Sequence, residues 1–146
     1  MPRGRSRKFN PPWSNPDLIQ EILHEARTIA VVGISDKPNR PSYDVARFLI
    51  ENGYHVIGVN PSLDEVLGTI CYPTLDHIPE PIDVVDVFRN SEAVHEIVDE
   101  VIRLRIPYLW LQEGVINPDA AYRALDAGVR VIMDHCIKKE LSRLRI

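Results

Sequence analysis

The chain has 146 residues, 45% of them hydrophobic and 26% charged, and a formal charge of −4. These values suit one soluble globular domain with its own core, and they give no surface-wide attraction for nucleic acid. No apolar run approaches the ~20 residues that cross a bilayer. The charged N-terminus has no hydrophobic stretch behind it, as a secretory signal would. Cys71 and Cys136 are far apart in sequence and belong to no CxxC or Cys/His cluster. A disulfide framework or a metal site is therefore not expected, and the expected location is the reducing cytoplasm.

Residues 1–13 read as a basic tail. Arg3, Arg5, Arg7 and Lys8 crowd it with charge, and Pro2, Pro11 and Pro12 oppose regular structure. Such a tail is expected to be disordered. The competing reading is an arm for RNA or an acidic partner. The domain is expected over residues 14–146, beginning with a helix at Asn15-Pro16-Asp17, a capping side chain followed by proline and an acid. Leu18, Ile19, Ile22, Leu23 and Ala26 give that helix one apolar face.

Thr28 to Ile34 is a β-branched run too apolar to alternate, the pattern of a strand covered on both faces. A helix from Tyr43 to Glu51 follows, stopped at Gly53, and then a strand from His55 to Val59. Thr69 to Cys71 is a short third strand. Asp83 to Phe88 is the next, after which Ser91 is expected to cap a helix with Val94, Ile97, Val98, Val101 and Ile102 inward. Tyr108 to Leu111, a helix over 118–127, Arg130 to Met133 and a helix from Ile137 to Leu144 complete the chain. Alternating strands and helices predict a single Rossmann-like, doubly wound α/β domain with a mainly parallel sheet and helices on both faces.

In such sheets ligands bind beyond the carboxyl ends of the strands. The turn Gly33 to Ser42 is the richest strand end. Glycine permits close backbone approach, Ser35 and Ser42 offer hydroxyls, and Lys37 and Arg40 bring charge to a helix amino end. That combination suits phosphate, against the alternative of an ordinary capped loop. The glycine pattern GxGxxG is missing, and the second strand ends in Asn60-Pro61 where dinucleotide enzymes place an acid for the ribose. No P-loop pattern is present. A ligand with a further phosphate, such as coenzyme A, suits the cationic loop.

Gly33-Ile34-Ser35 with Arg40-Pro41-Ser42, Val59-Asn60-Pro61, Asp83 to Arg89, Trp110 to Gly114 and Met133 to Cys136 resemble the stand-alone CoA-binding proteins. Those are similar to the first domain of the succinyl-CoA synthetase alpha subunit and of the ADP-forming acyl-CoA synthetases. The resemblance covers roughly Asn15 to Arg143. It implies that Gly33, Ile34 and Ser35 lie along the CoA diphosphate, with Lys37 and Arg40 nearby. It implies that Asn60 and Pro61 border the adenosine, Phe88 and Arg89 meet the middle of the cofactor, and Gln112 and Gly114 line the pantetheine path. Two departures stand out. The family commonly has Gly-Ala-Ser where this chain has Gly33-Ile34-Ser35, which places a bulkier side chain beside the ligand. It commonly has arginine where this chain has His135.

Cys136 precedes the last helix, a position that favours thiolate and allows redox exchange with the CoA thiol; the alternative is a packed small residue. Cys71 reads as structural, and Trp110 and Phe88 as core aromatics. Asp83 and Asp86, three apart in a strand, are expected to face opposite sides, so a joint acid/base role is not expected. No catalytic constellation is identifiable. The expected role is a carrier, sensor or subunit that binds CoA or acyl-CoA, acting as a homodimer or beside a partner enzyme subunit. The alternatives are an NAD(P)-linked oxidoreductase subunit and a thiol switch through Cys136.

Overall fold

The computed structural model describes residues 12–144; the tail cations named above lie outside them. Pro12–Ser14 form a 3-10 turn, so regular structure starts slightly earlier than the sequence predicts. Five helices follow: α1 (Pro16–Glu25), α2 (Pro41–Glu51), α3 (Val94–Arg103), α4 (Pro118–Asp126) and α5 (Ile137–Leu144). The strands are β1 (Thr28–Val32), β2 (His55–Val59), β3 (Glu65–Val66), β4 (Thr69–Tyr72), β5 (Val84–Val87), β6 (Tyr108–Leu111) and β7 (Arg130–Met133).

They form one sheet in the order β3-β4-β2-β1-β5-β6-β7, parallel except for the short β3–β4 pair. This is the doubly wound sheet expected from the β-branched runs. Alternate β1 residues face opposite cores: Ile29 and Val31 meet α1, α2 and α5, while Ala30 and Val32 meet α3 and α4. Double coverage explains why these strands could not alternate apolar with polar.

Local signals set the helix starts. The Asn15 side chain accepts from the Asp17 amide at 2.8 Å and the Leu18 amide at 3.3 Å. Asn117 caps α4 by accepting from the Ala120 amide at 3.1 Å. The expected cap at Ser91 is corrected. Asn90 accepts from the Ala93 amide at 3.0 Å, and Ser91–Ala93 is a 3-10 turn ahead of α3.

Candidate ligand site

Strand order reverses between β1 and β5, so the turns after Val32 and Val87 lie side by side at the carboxyl edge, where α/β sheets bind ligands. Gly33 permits this close approach. Its φ is +88°, and its amide donates to the Val59 carbonyl at 2.9 Å. A Cβ there would stand 2.9 Å from the Phe88 carbonyl oxygen and 3.2 Å from the Arg89 Cδ. Arg89 thus runs across the Gly33 backbone.

Ile34 then turns inward. Its side chain is fully buried in the core beneath α1 and α2, which corrects the expectation of added bulk beside a ligand. Only its backbone can line the site, and its carbonyl accepts from Asn60 Nδ2 at 2.8 Å. Asn60 Oδ1 accepts from the Ser62 amide at 2.8 Å. Asn60 therefore ties two turns together, and Pro61 stands exposed beside it.

The serines organise the rest of the first turn. Buried Ser42 accepts from the Ser35 amide through Oγ at 3.0 Å, and Ser35 Oγ accepts from the Lys37 amide at 3.0 Å. Both hydroxyls retain their own protons to donate. Arg40 occupies the N-cap of α2 without a side-chain bond, and Pro41 follows. Unlike α1 and α4, α2 leaves its amino end open to an anion.

Charge is concentrated at the same place. Arg47, Arg103, Arg123, Arg130, Lys138, Lys139 and Arg143 are all held in ion pairs. Among the described residues Lys37, Arg40 and Arg89 are exposed and make no ion pair, and all three flank the β1 and β5 turns. Arg27 and Arg105, likewise unpaired, precede β1 and β6 at the opposite edge.

Phe88 is half-buried against the α1/α2/α5 core. Arg89 lines a cleft of about 350 Å³ between the ends of β1 and β2 and helix α3. The β6 end is more structural than its polar residues suggest. Gln112 is buried, and its Oε1 accepts from the Ile137 amide at 3.2 Å, capping α5. The Gly114 amide donates to Asp134 Oδ1 at 2.8 Å, and Ser91 Oγ accepts from the Ile116 amide at 2.9 Å. These bonds knit the three turns after β5, β6 and β7 into one shelf.

Cys136 is half-buried beside the same core, and Cys71 is buried, which pushes its thiol up. His135 Nδ1 lies 3.2 Å from Glu140 Oε2. Sequence reasoning missed two features. Asp86 is wholly buried without a hydrogen-bond partner, and burial pushes its carboxyl well above the usual range. The acidic face of α3, Glu96 and Glu100, lines the cleft; the only signal for it was two acids four apart beside inward Ile97. Among the described residues no group of three or more His, Cys, Asp or Glu could hold a metal, and no helix is long and apolar enough to cross a membrane.

The model of the CoA binding domain family matches residues 27–142, which spans every strand described above and the turns at their carboxyl ends. The chain belongs to that family. An uncharacterized protein, YneT, from Bacillus subtilis is 42% identical over 82% of this chain and 89% of its own length. A hypothetical protein from Pyrococcus horikoshii OT3 superimposes over the whole of both chains with a TM-score of 0.89 and 35% identity. The ADP-forming acetate–CoA ligase II of Archaeoglobus fulgidus is 28% identical over 66% of this chain, which spans only 14% of that much longer ligase. In this CoA-binding domain, then, the exposed unpaired cations of the carboxyl edge belong to the turns on either side of the reversal in strand order.

Proposed function

We propose that the chain binds coenzyme A or an acyl-CoA across the carboxyl edge of its sheet, as a non-catalytic carrier, sensor or subunit of a larger assembly in the cytoplasm. The observation that carries this is the gathering of unpaired Lys37, Arg40 and Arg89 around the Gly33 turn and the uncapped start of α2. A diphosphate together with a ribose 3′-phosphate supplies the anionic charge to match them. Asn60 argues against NAD(P). It is uncharged and already engaged with Ile34 and Ser62, so it offers no carboxylate to the ribose hydroxyls. The matching segment of the acetate–CoA ligase sits in a far longer chain, which supports a role beside a partner enzyme subunit; a homodimer is the other arrangement.

Calorimetric titration with CoA, 3′-dephospho-CoA and NAD⁺ tests the proposal. CoA is expected to bind most tightly, with affinity lowered about tenfold or more by Arg40→Ala or Arg89→Ala. Absence of CoA binding, or preference for NAD⁺, refutes it. Cys136→Ala is expected to leave binding intact; lost binding in that variant supports the thiol-switch alternative instead.

A further inference from the structure

Residues 1–11 and the remainder of the chain carry opposite charge. Four of the 17 cations and none of the 21 acids lie in residues 1–11, which leaves 13 cations against 21 acids elsewhere. Arg3, Arg5, Arg7 and Lys8 precede a single aromatic residue, Phe9. Such a segment suits an apolar recess flanked by acids.

A recess of that kind lies at the edge of the sheet, and none of its lining residues belongs to the turns proposed for CoA. β4 pairs with β2 only through Gly58 and Val59, so among the described residues the amino half of β2 has no strand on that side. A cavity of about 320 Å³ opens in this notch, walled by Ile50, Tyr54, Leu67, Ile70 and Tyr72. Ile50 and Ile70 are 36% and 60% exposed. The charge around them is acidic. Glu80, in the cavity lining, meets the His55 imidazole at 3.0 Å. Glu65 stands opposite Ile70 in the β3–β4 pair, and among the described residues neither it nor Asp64 makes an ion pair. Arg47, on the last turns of α2, is already shared between Asp44 and Glu51.

Phe9 cannot reach this cavity in its own molecule. Pro12 sits against β7, at the other side of the sheet. The nearer cavity wall, β2, is four strand spacings from β7, ~19 Å, whereas the three residues from Pro12 back to Phe9 span at most ~11 Å. The occupant must come from another molecule.

We propose that Phe9 and the cations before it dock in this cavity on a second copy of the chain, with Phe9 entering beside Ile50 and Ile70 and the cations meeting Glu65 and Glu80. The contact is head-to-tail, the amino-terminal segment of one copy on the sheet edge of the next, and it does not depend on the CoA reading.

Sedimentation velocity over a range of concentrations tests this. The native chain is expected to self-associate, less so at high salt, while a chain lacking residues 2–11 and the double variant Glu65→Lys/Glu80→Lys stay monomeric. Phe9→Ala is expected to weaken association about tenfold. Mixing fixes the geometry. The truncated chain keeps its cavity and the charge-reversed chain keeps its basic segment, so together they are expected to form a one-to-one complex that neither forms alone. Thermal melts confirm that the variants fold, and a synthetic peptide of residues 1–11 is expected to dissociate the native complex without any variant. A native chain that is monomeric throughout, association that survives the truncation or the peptide, or a mixture that stays apart overturns the proposal.

Discussion

The Arg89 side chain crosses Gly33 so closely that a methyl group on Gly33 would meet Arg89 Cδ at 3.2 Å and the Phe88 carbonyl at 2.9 Å. Backbone and side chain of one turn are therefore packed on the bare backbone of the other. A φ of +88° adds a conformational cost of about 1–2 kcal/mol for any L side chain. Gly33→Ala is expected to lower the melting temperature and to displace Arg89, weakening CoA binding about tenfold or more. Calorimetry and thermal melts on the same variant check both effects, and an unchanged affinity would show that Arg89 is not placed by Gly33.

A second close approach involves Gly58 in β2. A Cβ on Gly58 would stand 2.5 Å from Cys71 Sγ and 3.1 Å from Ile34 Cγ2. Gly58→Ala is expected to destabilise the chain by about 1–3 kcal/mol through overpacking. Cys71→Ala removes the sulfur and leaves only its Cβ, 3.5 Å away. The double variant is thus expected to recover much of the loss, as contacting positions couple. Urea denaturation of the two single variants and the double completes the cycle.

The pattern of success and failure in the sequence follows the range of the interactions involved. Thr28 to Val32 declared itself because a strand buried on both faces must be apolar throughout. Asn15-Pro16 was legible because caps act within three residues. Asn90 and Ser91 are adjacent short polar residues, and spacing alone could not choose between them. Glu65–Val66 is too brief to show any period. At the β6 end the structural partners were out of local reach: Gln112 and Gly114 find theirs at Ile137 and Asp134, 25 and 20 residues away. The resemblance implied that Ile34 lies along the ligand, yet the turn directs its side chain into the core. Site residues that act through the backbone or through distant caps leave no local signature.

The Gln112 bond to Ile137 makes a prediction of its own. As the acceptor at the amino end of α5, it satisfies a donor that would otherwise be buried without a partner. Gln112→Ala is expected to cost about 1–2 kcal/mol of stability. If capping is its whole role, CoA affinity measured well below the melting temperature is unchanged. A fall in affinity without a fall in stability would instead make Gln112 a ligand contact.

Asp86 sits between Val31 and Trp110 in the central register, fully buried and without a hydrogen-bond partner. Desolvation disfavours its charged form, so the folded chain holds its proton to a pH well above the ordinary 3.8. The folded state then binds more protons than the unfolded state across the interval between the two pKa values. Its contribution to stability is fully present below the unfolded value and is lost as pH rises toward the folded one, at up to about 1.4 kcal/mol per pH unit. Asp86→Val, close in shape and suited to a strand, removes both the unpaired polar group and this proton linkage. It is expected to stabilise the chain by about 1–3 kcal/mol near neutral pH, with a smaller gain under acid conditions. Denaturant unfolding of both proteins at a series of pH values measures the difference, in which all other titrating groups cancel. A variant less stable than the native chain at every pH would mean that Asp86 has a partner in solution, such as a bound water, that offsets its burial.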